Sequence, residues 1–281
     1  MMAEQNVIQA VMPGEEDGLG VEAMIARSYE RYYATGLYDR RYPKHNARSM
    51  AAILEVGGKA RSILDFGCGD GRYTLPLLHT TQAHVYGYDI CPMGLSGLKT
   101  RLTNENQLDR VTLVQGPVDD YTQGNPIDLA IIMFGVLGHV AGRANRIAIL
   151  RRIRTLLQVE GEGRLVISVP NANRRFRTEQ REHDALRIAG TPEKPALEAG
   201  DILYARDNDG ERIELFYHLF TPETLSAELR EAGFGDIVMR VESVLSESAV
   251  TRSRLCAAAD ALLYPVTPLA LGYGILATAR A

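Results

Sequence analysis

The sequence predicts an α/β protein: a doubly wound, mostly parallel seven-stranded sheet with helices on both faces and an antiparallel insertion after strand 5. Three observations carry this expectation. Runs that are apolar almost throughout, "SILDF", "VYGY", "VTLV", "LAIIM" and "RLVISV", alternate with helical patterns as far as Pro170. Such strands are covered on both faces, and the helices between them supply the crossovers that parallel pairing requires. A turn with three glycines in five positions, "GCGDG" at 67–71, follows the first run, at the edge where open α/β sheets take ligands. Beyond Pro170 the alternation gives way to a hairpin pattern and then resumes.

In chain order, residues 1–20 read as a flexible leader with Pro13, three glycines and an acidic cluster. In "VEAMIARSYERYY" the spacing of Val21, Met24, Ile25, Ser28 and Tyr32 predicts a helix that Gly36 stops. "NARSMAAILEV" is a second helix, closed by Gly57 and Gly58. Five strands then alternate with "RYTLPLLHT", "MGLSGLKTRLTNEN" and "RANRIAILRRIRTLLQ", the last with Ile147, Leu150, Ile153, Leu156 and Leu157 on one face. Residues 171–200 are polar, and "NDG" between "DILYARD" and "ERIELFYHLF" signals an antiparallel hairpin. Thr221 and Pro222 open another helix as cap and first residue. "DIVMRVESV", a helix around 249–263, and "GYGILATARA" complete one domain over 21–281.

Composition narrows the function classes. A net charge of −4 gives no global attraction to polyanions, so nucleic acid is an unlikely partner without a local basic patch. Three cysteines without metal-ligand spacing suggest a reducing compartment, and cytoplasm is the expected location, with no metal and no disulfide framework. No stretch has the apolar length of a membrane span or the layout of a signal peptide. A monomer and a homodimer are equally compatible with the sequence.

Glycines at 67, 69 and 71 permit positive φ angles and let a ligand approach the backbone closely. Dinucleotide sites use G-x-G-x-x-G, whereas this turn is G-x-G-x-G. An acid at Asp65 is unwelcome beside a diphosphate but suits a ligand with an amino group. Asp89 ends the next strand, where a carboxylate can accept from both hydroxyls of a ribose. Together these features favour an amino-acid nucleoside.

On these residues the chain resembles the class I S-adenosylmethionine (SAM) dependent methyltransferases. "ILDFGCGDG" is similar to their first motif, Asp89 in "YGYDI" to their ribose acid, "VQGPVDDY" to their adenine loop and "IDLAIIMFGVLGHV" to their fourth-strand motif. The resemblance implies a SAM-binding core over 45–170, an N-terminal lid over 21–44, an acceptor-side insertion over 171–220 and a C-terminal part of the sheet over 221–281. It implies SAM as cofactor, with Asp65, Gly67, Cys68, Gly69, Gly71, Asp89 and Ile90 around its methionine and sugar portions. Val118 and Asp119 are the candidates for adenine, Asp120 being an equal alternative to Asp119, and Phe134 for contact with cofactor or acceptor.

Methyl transfer from a sulfonium needs alignment and exclusion of water, with a base where the acceptor is a hydroxyl or a protonated amine. Of six histidines, His139 follows the fourth strand and His218 lies in the insertion, so these are the candidate catalytic residues. For His139 the alternative is a structural hydrogen bond, and for His218 it is packing in the roof. Tyr29, Tyr33 and Tyr38 are lid candidates that would face the sulfonium or simply pack. Arg174 and Arg175 in "RRFR" would bind an acid group of the acceptor or stay solvated. The leading expectation is a methyltransferase acting on an O or N atom of a small molecule. The alternatives are a tRNA wobble-uridine carboxyl methyltransferase and a non-catalytic SAM-binding module.

Overall fold

The computed structural model describes residues 21–116, 126–157, 163–189, 197–208 and 210–281, so the expected leader lies outside the described residues. Helix α1 (Val21–Ala34) ends before Gly36, whose φ of 63° turns the chain straight into a short α2 (Leu37–Arg41). Helix α3 (Ala47–Gly57) is capped by Asn46, whose Oδ1 accepts from Arg48 N at 2.9 Å and Ser49 N at 3.3 Å.

Strands β1 (Ser62–Phe66), β2 (His84–Tyr88), β3 (Val111–Val114), β4 (Leu129–Ile132) and β5 (Arg164–Pro170) pair in parallel. They alternate with α4 (Thr74–Thr80), α5 (Pro92–Asn104) and α6 (Arg143–Leu156). After β5 come α7 (Arg177–Ile188) and the hairpin β6 (Asp201–Asn208) and β7 (Glu211–His218). The chain then runs through α8 (Pro222–Glu231), β8 (Gly235–Ser243), α9 (Glu247–Arg252), α10 (Arg254–Leu263) and β9 (Gly274–Arg280). The sheet has seven strands in the order β3-β2-β1-β4-β5-β9-β8, with β9 antiparallel to both neighbours. Strand order reverses between β1 and β4, which opens a crevice at their carboxyl ends.

Successive strand residues feed opposite faces. Ile63 and Ile131 join Ile53, Leu77 and Leu98 on one side, while Leu64 and Ile132 join Leu150, Leu229 and Phe220 on the other. Two sequence expectations change in detail. Helix α7 buries no residue, so its sequence lacks the apolar stripe that would reveal it. The helix expected near 249–263 is two, divided at Ser253, whose side chain caps α10 by accepting from Cys256 N at 3.2 Å. The hairpin and the Thr221 cap form as the sequence predicts.

The insertion and the first helix meet above the crevice. Ser28 Oγ donates to Glu214 O in β7 at 2.5 Å, and Tyr32 and Tyr38 pack on Ile213 and Leu215. Among the described residues no helix is long and apolar enough to cross a membrane.

Candidate active site

Past Phe66 the chain turns through Gly67, Gly69 and Gly71, whose φ angles of 80°, 53° and 96° all lie in the left-handed region. Gly67 N and Cys68 N donate to Tyr88 O at 2.7 and 3.0 Å, tying the turn to the tip of β2. Asp89 tightens the same junction, its Oδ2 accepting from Gly69 N at 2.7 Å and its Oδ1 from Cys91 N at 2.8 Å. Burial pushes this carboxyl above its ordinary range. Behind the turn, Asp65 is 2% exposed, and Thr74 Oγ1 donates to its Oδ2 at 2.7 Å. Burial, reinforced by the Asp89 charge, pushes Asp65 up to about 7.

Both acids hydrogen-bond to neutral donors rather than to a basic side chain. A buried carboxylate without a cation is costly until a ligand supplies one. The residues therefore fit an amino-acid nucleoside, whose ammonium would supply the cation that these buried acids lack and whose sugar hydroxyls would add further donors. Cys68 takes part through its backbone alone, because Sγ turns beneath Gly87 into the apolar core. Ile90 lies half-buried beside Asp89. Val118 and Asp119, and the alternative Asp120, lie outside the described residues.

Two residues past β4, Phe134 has φ 60°, a conformation costly for a non-glycine residue, held by its N–H donating to Ser168 Oγ at 2.7 Å. The Arg72 guanidinium lies 4.0 Å from its ring centroid, and Tyr42 meets it edge-on at 4.6 Å. Gly135 follows, and the Tyr217 hydroxyl lies where any side chain there would point.

Above this edge is a cavity of about 60 Å³, lined by Tyr29, Tyr32, Tyr38 and Tyr42 from the first helical segment and by Tyr204 and Tyr217 from the hairpin. His139 also lines it. Its Nδ1 donates to Phe216 O at 2.9 Å, which leaves the lone pair on Nε2 to accept from the Tyr29 hydroxyl at 2.7 Å. The ring stacks on Tyr217 at 4.5 Å. Burial pulls His139 down to about 4, so the imidazole is neutral at physiological pH. The cavity is far smaller than the roughly 300–1,000 Å³ of ordinary ligand sites. Tyr33 completes the closure, its hydroxyl resting against Gly69. Helix α1 thus covers the glycine turn and the cavity together.

The structure gathers Asp65, Gly67, Cys68, Gly69, Gly71, Asp89 and Ile90 at the turn, and Tyr29, Tyr38, Phe134, His139 and Arg175 at the cavity. It does not bring His218 or Arg174 there. His218 is 5% exposed, pairs through Nδ1 with Asp201 Oδ1 at 2.6 Å and meets Phe220 edge-on. Strand alternation is the reason: Tyr217 faces the cavity, so its neighbour faces away. Arg174 reaches out to Leu271 O at 2.8 Å. Glu198, Asp201 and His218 offer ligand atoms within 4.8 Å of one another, but Asp201 is already closed by His218 and by Glu198 N, which donates to Oδ2 at 2.9 Å. Sequence reasoning missed Arg72, Tyr204, Arg206, Tyr217 and Glu242. A period of two along "LYARD" and "LFYHLF" is the signal that puts Tyr204 and Arg206 on the face shared with Tyr217.

Comparison with known proteins extends this geometry. A methyltransferase domain family matches residues 38–237, which include the glycine turn, the hairpin and part of the cavity lining, whereas Tyr29, Tyr32 and the lining residues from Glu242 onward lie outside the match. The fold is similar to that of the CcbJ methyltransferase from Streptomyces caelestis, with a TM-score of 0.58 and 17% identity over 85% of this chain and 90% of that one. It is also similar to the glycopeptide N-methyltransferase MtfA complexed with S-adenosyl-L-homocysteine (SAH), with a TM-score of 0.55 and 16% identity over 84% and 89%. A SAM-dependent methyltransferase from Clostridium acetobutylicum gives a TM-score of 0.54 at 12% identity over 90% and 98%. None of the curated proteins compared matches the chain. With a seven-stranded sheet in this order, a glycine turn between two cation-free acids and a domain match spanning both, the chain belongs to the methyltransferase domain family and is a class I SAM-dependent methyltransferase.

Proposed function

We propose that the enzyme methylates an O or N atom of a small-molecule acceptor bound in the tyrosine-lined cavity. Enclosure is the observation that carries this reading: the cavity stands over Phe134 and Gly135 and is roofed by α1 and the hairpin. A folded RNA would require an open, basic groove.

When bound, the sulfonium cofactor supplies an electrophilic methyl group. The chain's share is alignment and exclusion of water. Asp65, Gly67, Cys68, Gly69, Gly71, Asp89 and Ile90 would hold the amino-acid and sugar portions, Val118 and Asp119 the adenine. Phe134 would border cofactor and acceptor. His139 is the proposed proton acceptor: its Nε2 lone pair, now occupied by Tyr29, becomes available when an acceptor displaces that hydroxyl. A weak base suffices, because the acceptor's proton becomes strongly acidic only as its atom gains the methyl group. His218 is proposed to act at a distance, fixing the hairpin through Asp201.

The test is incubation with methyl-labelled SAM and a cell extract separated into small-molecule, RNA and protein fractions. Label is expected in the small molecules. Label confined to RNA or protein would overturn this reading.

A further inference from the structure

One side of the cavity is cationic. Arg175, Arg206 and Arg41 all line it. The Arg175 guanidinium lies 4.8 Å from the Tyr273 ring centroid and 5.0 Å from that of Phe176, and Arg206 lies 4.8 Å from that of Tyr204. The groups facing Arg175 and Arg41 are phenols rather than carboxylates, and among the described residues none of the three arginines forms an ion pair. Arg41 Nε is buried without a hydrogen-bond partner.

The acids on the same cavity do not balance these charges. Glu247 is occupied by Arg72 Nη2 and Asn46 Nδ2, both at 2.8 Å. Glu242 accepts from Ser49 Oγ at 2.7 Å, and burial beside Glu247 pushes it up to about 7, so at neutral pH it carries only part of a charge.

Aromatic faces lend a guanidinium part of the stabilisation that water would give. A single phenol hydroxyl, Tyr42 beside Arg41 and Tyr217 beside Arg175, meets only part of an N–H fork that is shaped for two oxygens of one acid group. We propose that the methyl acceptor is an aromatic oxyanion, a carboxylate or a phosphate ester, whose acid group is gripped by Arg175 and Arg206 with Arg41 beside them while its ring lies among the tyrosines. The inference rests on the assignment of this cavity to the acceptor. It adds charge and shape to that assignment: a neutral phenol or amine would leave the guanidinium fork part-filled.

The experiment is calorimetry on the SAH-loaded full chain with benzoate, phenyl phosphate and the neutral benzamide, at matched ionic strength. The wild type is compared with the double variant Arg175→Gln/Arg206→Gln. Benzoate or phenyl phosphate is expected to bind at least about tenfold more tightly than benzamide, with the preference lost in the variant. Whichever of the two binds more tightly identifies the acid as carboxylate or phosphate. SAH titration of both proteins is the control for folding and for the parent assignment. Equal binding of benzoate, phenyl phosphate and benzamide, or a preference that survives in the variant, overturns the anionic acceptor while SAH binding stands. Absence of SAH binding to the wild type would instead remove the reading beneath it.

Discussion

Asp65 and His139 are pushed by burial to opposite sides of their ordinary values, and the two make different predictions. The Asp65 carboxyl rises from 3.8 in the free side chain to about 7 in the fold. Its penalty is therefore absent below pH 3.8, grows as pH rises through that window and is complete above about 7, where it amounts to about 4 kcal/mol. Asp65→Asn, whose amide oxygen can still accept from Thr74, is expected to melt higher than the wild type at pH 8 and equally at pH 4. The same variant is expected to bind SAH at least about tenfold more weakly, because the ammonium loses its partner. A melting difference that ignores pH would refute the assignment. At His139 the sign is reversed: the imidazole stays neutral until pH falls towards 4, so no loss of rate through this residue is expected between pH 6 and 8. His139→Ala should lower kcat by about 10²–10⁴ with SAH affinity intact, and equal losses in both would mark it as merely structural. How far the sequence discloses such residues depends on what they contact. Gly67, Gly69, Gly71, Asp65 and Asp89 are legible because a backbone that admits a ligand needs those residue types at that spacing. His218 misleads, because a residue type says nothing about which side of a strand it faces, and one position separates it from Tyr217.

Elements are held in place by polar junctions that no periodicity reveals. Arg146 on α6 and Glu228 on α8 are 1% and 2% exposed, with Nη2–Oε1 at 2.8 Å and Nε–Oε2 at 3.1 Å. Glu228→Leu leaves the buried guanidinium only the longer carboxylate contact, to Glu198 Oε2 at 3.6 Å, and is expected to cost about 3 kcal/mol, whereas Arg146→Met together with Glu228→Leu should recover most of that loss. Chemical denaturation of the three proteins decides it, and additive losses would show that the two residues do not act as a pair. A second junction binds the start of α3 to α9: Glu247 receives Asn46 Nδ2 and also Arg72 Nη2, which comes from the glycine turn. Helix α1 is legible from its apolar spacing, but its seat on the hairpin is not, because Ser28 bonds to a backbone carbonyl 186 residues away. Tyr33→Ala, which removes the phenol resting on Gly69, is expected to speed SAH association in stopped-flow measurements. A rate that stays the same or falls would show that this side chain does not obstruct the cofactor.

For the whole molecule, the mostly parallel sheet and the antiparallel insertion follow from chemistry visible in the chain, namely apolar runs, crossover helices and a hairpin signal, whereas the order β3-β2-β1-β4-β5-β9-β8, with β9 antiparallel between β5 and β8, is set only by folding. The polar helix α7 and the break at Ser253 were hidden because neither depends on an apolar stripe. The cationic side of the cavity was half visible in "RRFR", and it becomes whole only when folding brings Arg206 and Arg41 beside Arg175. A single helix stands over both the turn and the cavity, Tyr33 above Gly69 and Tyr29 above His139. Admission of either molecule would thus displace the same helix, and that work is needed only once. Cofactor and acceptor should consequently assist each other's arrival although they occupy separate pockets, a cooperativity produced by a shared door.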